Sequence, residues 1–67
     1  ESALDSLIAD ARGRGLEVAA LELEILRARR GLRRDPRAAR SNLADLAADC
    51  ERRGLLRLAR QARAAED

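Results

Sequence analysis

The side chains in this sequence that could do chemistry are few. The chain has no His, no Lys, no Met and no aromatic residue, and its hydroxyls are Ser2, Ser6 and Ser41. Each of these serines falls near a helix start or on a polar face, and no base stands at a spacing that would activate one. A self-contained enzyme is not expected. Cys50 is the single thiol, a nucleophile or an intermolecular bridge in principle. It falls on the apolar face of its segment, however, where a free cysteine behaves as a small buried hydrophobe. Glu17 and Glu24 lie two turns apart on one helical flank and offer two carboxylates to a cation. A hard cation takes six or more oxygen ligands, so a solvated flank is the better reading. No metal or cofactor is expected.

The feature with functional character is basic. Arg27, Arg29, Arg30, Arg33, Arg34, Arg37 and Arg40 crowd one junction between helices. Cations near a helix C-terminus offset the negative end of its dipole, which gives several of these arginines a purely structural use. Arg forks also bind carboxylates well, so an acidic peptide or protein is the alternative. Nucleic acid is a weaker fit: no aromatic side chain can stack on a base, and 14 Arg against 12 Asp and Glu leave a net charge of only +2.

Four helices must position these groups. Leu4, Leu7, Ile8 and Ala11 give a first helix, about residues 2 to 14, with Ser2 as its N-cap and Asp5 in the first turn. Gly15 sits where a helix ends in the left-handed conformation. From Leu16 to Arg34 runs a helix with two apolar stripes on nearly opposite sides. One is Val18, Leu21, Ile25, Ala28 and Leu32; the other is Leu16, Ala19, Ala20, Leu23 and Leu26. Such a helix needs neighbours on two sides and reads as the middle layer of a stack. Gly31 is a point at which it can fray or end. Asp35-Pro36 is the strongest boundary: Asp35 caps the next helix, and Pro36 at its first position loses no bond. The third helix, about residues 36 to 53, puts Ala39, Leu43, Leu46, Ala47 and Cys50 on one face. Gly54 ends it, and a one-sided fourth helix, about residues 55 to 66, follows with Leu55, Leu58, Ala59, Ala62 and Ala65. No strand pattern is present, and the fold class is all-α.

Sixty-seven residues make one small domain that buries only about 60% of its unfolded surface. An aliphatic core without aromatics is thin, and self-association or a partner would relieve it. A single cysteine gives no reason to invoke an oxidising compartment, and neither a signal peptide nor an apolar run of about 20 residues is present. The cytoplasm is the expected location, with no membrane partner. The absence of an initiator Met suggests a piece excised from a longer chain.

Shifted by 39 residues, the sequence matches itself. Leu4 meets Leu43, Leu7 meets Leu46, Asp10 meets Asp49, Arg14-Gly15-Leu16 meets Arg53-Gly54-Leu55, and Ala20 meets Ala59. The unit is a helix, a glycine turn and a helix, occurring twice: about residues 1 to 34 and 35 to 67. Gly15 with Ala20, Gly54 with Ala59, Asp35-Pro36 between units and Asn42-Leu43-Ala44 beyond it make the chain similar to the tetratricopeptide family. The resemblance spans the whole chain. The period is longer than the family's 34 residues, and aliphatics stand at the aromatic positions of its consensus, so the chain looks most like the divergent long-helix repeats of bacterial regulators and other multidomain proteins.

The resemblance implies two antiparallel helix-turn-helix hairpins forming an α-solenoid fragment, and a non-catalytic module that binds a peptide or protein partner in a groove. Arg12, Arg33, Arg34, Arg37, Arg40, Asn42, Asp45 and Asp49 are the candidate contacts. A different reading is a docking or homo-oligomerisation bundle of a larger assembly, or a spacer between two domains. Leu56, off the main face of the last helix, is the candidate for self-association.

Overall fold

The computed structural model describes residues 2–66, the side chain of Ser2 excepted, so the capping role expected of Ser2 lies outside the described residues. All four expected helices form: α1 (Ser2–Gly13), α2 (Glu17–Gly31), α3 (Pro36–Arg52) and α4 (Leu56–Glu66). There is no strand among the described residues. None of the helices is long and apolar enough to cross a membrane.

The two glycine turns have one construction. At the end of α1, the Leu16 amide donates to the Ala11 carbonyl at 2.8 Å and the Gly15 amide to that of Arg12 at 3.0 Å. At the end of α3, the Leu55 amide donates to Cys50 at 2.8 Å and the Gly54 amide to Glu51 at 3.1 Å. Both are Schellman closures, which satisfy carbonyls that the helix leaves open and need a left-handed residue between the two bonds. Gly15 and Gly54 supply it. The α2–α3 junction is built differently. Successive amides from Leu32 to Asp35 fold back on the carbonyls of Arg29, Arg30 and Gly31, so α2 stops at Gly31 and residues 32–34 form a turn. Asp35 then caps α3 by accepting a hydrogen bond from the Ala38 amide at 3.2 Å, with Pro36 in the first turn.

Packing follows the apolar spacing. Leu4, Ile8 and Ala11 bury one face of α1 against α2, the element on which α1 packs. On its other side α2 meets both α3 and α4, which also pack on each other. The main core joins Leu21, Ile25 and Ala28 of α2 to Leu43, Ala47 and Cys50 of α3 and to Leu58, Ala59 and Ala62 of α4. Leu43, Ala47, Cys50 and Ala62 are wholly shielded from solvent. Full burial of a leucine such as Leu43 contributes about 2 kcal/mol. Helix α2 is thus the middle layer, as its two stripes require, but the stripes fare unequally. Leu21, Ile25 and Ala28 are buried, whereas in the second stripe only Ala20 is, and Leu16 and Leu26 stay exposed. The helices form a slab with Cα extents of 31 × 29 × 13 Å.

Candidate functional site

Helix α2 lies behind a groove that runs along its seam with α3. Two adjoining cavities make it up, of about 480 and 360 Å³. Glu24 and Leu46 line both, so the two are neighbours with those side chains at their common border. The larger lies beside the α2–α3 turn, where Ala28, Ala38, Ala39 and Leu46 give an apolar floor. Small side chains let the two backbones come close and leave the depression open. Around that floor stand Arg27, Arg30 and Arg34 on one side and Asn42 and Asp45 on the other. The smaller cavity is reached by Arg12 from α1 and by Asp49 and Arg53 from the end of α3.

Some of these groups are already satisfied within the chain. Arg12 pairs with Glu24 at 2.6 Å, and Arg27 with Asp5 at 2.7 Å, so two ion pairs tie α1 to α2 beside the groove. Arg53 holds Asp49 at 3.0 Å and also reaches Glu17 on α2. Asp49, and then Glu17, keep the Arg53 guanidinium above its ordinary pKa. Arg52 takes the other oxygen of Asp49 at 3.1 Å. Glu17 and Glu24 therefore spend their charge on separate arginines, and no group of three or more potential metal ligands occurs among the described residues.

The side chains of Arg34, Asn42 and Asp45 are different. Among the described residues none of them has a hydrogen bond or ion pair, and all three border the larger cavity. They are the groove's uncommitted polar groups: one planar cation, one amide and one carboxylate.

Of the residues expected to make contacts, the structure gathers Arg34, Asn42 and Asp45 on one cavity and Arg12 and Asp49 on the next. Arg33, Arg37 and Arg40 are exposed but do not line the groove. The arginine cluster is divided: Arg27, Arg30 and Arg34 border the larger cavity and the other arginines of the cluster do not. Leu56 opens α4 and is 59% exposed. Glu24, Leu46 and Arg30 were not singled out from the sequence as groove residues. The signal for Glu24 was present: it shares a flank with Glu17, and that flank forms one wall.

Ser6 and Ser41 are exposed. Cys50 is sealed in the main core, and burial, then the nearby Asp49 carboxylate, pushes its thiol above the ordinary value of 9.0. Such a thiol stays protonated and inert at neutral pH. Comparison of the chain with protein-family models, with curated proteins and with solved structures returns no match.

Proposed function

We propose that this chain is a non-catalytic protein–protein interaction module of the tetratricopeptide-like kind, one that holds a peptide or protein segment in the α2–α3 groove. The observation that carries this reading is the uncommitted set of Arg34, Asn42 and Asp45 around an apolar floor. An apolar floor with a few convergent polar groups is the usual make-up of a recognition site. Arg34, with Arg27 and Arg30 on the same wall, favours an acidic segment, because a guanidinium fork matches a carboxylate. Asn42 and Asp45, one helical turn apart on α3, can meet the segment's backbone amides. The setting that goes with this reading is the cytoplasm, in a bacterial regulator or another multidomain protein.

A labelled Asp- and Glu-rich 12-residue peptide, compared with its Lys and Arg counterpart by fluorescence anisotropy, tests the reading. The acidic peptide should bind more tightly, and Arg34→Glu should weaken it by about fivefold or more. Arg40→Glu, off the groove, should change it little. Equal binding of the two peptides, or indifference to Arg34→Glu, would sink it.

Exposed leucines support a second reading, a helical docking or homo-oligomerisation domain. Leu7, Leu16 and Leu56 are each more than half exposed. Sedimentation equilibrium over a concentration series decides it: a concentration-independent dimer would favour self-association over the groove, and a monomer would remove it.

A further inference from the structure

Two ion pairs cross from α1 to the α2 wall of the groove, and each engages a residue that lines the larger cavity. Arg27 Nη1 donates to Asp5 Oδ1 at 2.7 Å. Arg12 lies 2.6 Å from Glu24. No residue of α1 lines the larger cavity itself. Helix α1 therefore acts on that cavity from behind, through charge.

The two pairs act in opposite senses. Asp5 engages a guanidinium that an acidic ligand could use, whereas Arg12 offsets a carboxylate that would repel one. They also differ in setting. The Glu24 side chain is 13% exposed, so its pair is partly shielded from water. The Arg27 and Asp5 side chains are 45% and 55% exposed. An exposed ion pair gains little over its separated, hydrated charges, so a carboxylate brought by a ligand can replace Asp5 at small cost. The exchange need not dislodge α1, which Leu4, Ile8 and Ala11 seat on α2.

The carboxylates that line the cavity do not guard Arg27 in this way. Asp35 accepts from the Ala38 amide, Glu24 is held by Arg12, and Asp45 makes no ion pair among the described residues. On the groove's basic wall, Arg34 stands ready and Arg27 is guarded.

We infer that Asp5 is an internal competitor for the acidic segment of the groove. One ligand carboxylate meets Arg34 and another displaces Asp5 from Arg27, while Arg12 keeps Glu24 from opposing the exchange. The inference rests on the groove reading above and adds that the chain itself holds down its affinity for acidic segments. The ligand class narrows to a segment that brings a carboxylate to each of the two arginines.

The probe is the labelled Asp- and Glu-rich 12-residue peptide, titrated with the whole chain. Asp5→Asn should tighten its binding by about threefold, and Arg12→Gln should weaken it by a similar factor. Asp10→Asn and Arg14→Gln make the same changes of charge on and beside α1, at an ion-paired couple that lines neither cavity, and should have little effect. With Arg27→Gln already in place, Asp5→Asn should change nothing, which closes a double-mutant cycle. Mere loosening of α1 would move Asp5→Asn and Arg12→Gln in the same direction, and that result overturns the inference. So does tightening that Asp10→Asn reproduces or that survives loss of Arg27, since net charge would then explain it. An unaltered affinity on Asp5→Asn, with the parent chain still preferring the acidic peptide, overturns the inference and leaves the groove reading standing. A parent chain without that preference overturns both.

Discussion

Gly15 and Gly54, 39 residues apart, hold the same left-handed backbone, at φ +75° and +77°. Each closes its helix with the same pair of amide donors, and each is followed by a leucine whose amide reaches back to a buried small residue, Ala11 or Cys50. The two turns are one local solution used twice.

Substitution of glycines should therefore split by backbone rather than by space. No atom would crowd a Cβ at Gly15 or Gly54, yet their positive φ makes an L side chain strained. Gly15→Ala and Gly54→Ala should each cost about 1 kcal/mol or more. Gly13 and Gly31 end helices without positive φ, and a Cβ at Gly31 would meet Ala39 Cβ at 3.6 Å, an ordinary contact. Gly13→Ala and Gly31→Ala should each stabilise by about 0.5–1 kcal/mol. Urea midpoints of the four variants would show the sign change.

Loss of the α3 cap should be felt by the whole core, because α3 packs on both α2 and α4. Asp35→Ala removes the acceptor for the Ala38 amide and should cost about 1 kcal/mol, while Asp35→Ser should keep most of it. Thermal unfolding of the two variants side by side would check this.

Alkaline conditions should loosen the protein through Cys50. Its folded-state pKa is raised above the unfolded value of about 9.0 by burial. The stability it contributes is fully present below that value and is lost as pH rises from there towards the folded pKa. The slope in that window is at most about 1.4 kcal/mol per pH unit. Cys50→Ala, which installs the residue found at the matching position 11, should cost about 1 kcal/mol at pH 7 and flatten the alkaline decline. Denaturant titrations from pH 7 to pH 10.5 would separate the two effects.

Acid should act at the α3–α4 seam. Arg63 holds Glu51 with two hydrogen bonds at 2.8 and 3.0 Å, and this lowers the carboxyl below its ordinary 4.5. A lowered carboxylate stabilises above its unfolded pKa, and that contribution disappears as pH falls through the folded value. Glu51→Gln should therefore lower the melting temperature slightly at pH 6, and the difference should fade as acid takes the pH below the carboxyl's lowered folded-state value. The pair is exposed, so 1 M salt should shrink the difference at pH 6.

Much of this architecture is legible in residue order. Asp35-Pro36, the two turn glycines and the spacing of Leu43, Ala47 and Cys50 mark the elements because capping, left-handed backbone and helical period are local physics. Coverage is not local. The spacing of Leu16, Leu23 and Leu26 is as regular as that of Leu21, Ile25 and Ala28, but a stripe is buried only where another helix lies over it, and among the described residues α3 and α4 lie over the second set. The site divides in the same way. Asn42 and Asp45 belong together by period alone. Which of Arg33, Arg34, Arg37 and Arg40 joins them depends on residues 32–34, an irregular turn whose rotation no periodicity encodes.

Helix α1 touches the rest of the described protein through α2 alone, whereas α2, α3 and α4 each touch two or more neighbours. Amide hydrogens in α1 should for that reason exchange with solvent through a local opening well before those of the other helices, which open together. The protein then has two tiers of order. A first helix rides on a three-helix body, held by Leu4, Ile8 and Ala11 against α2, and polar substitution of those residues would release it before that body opens.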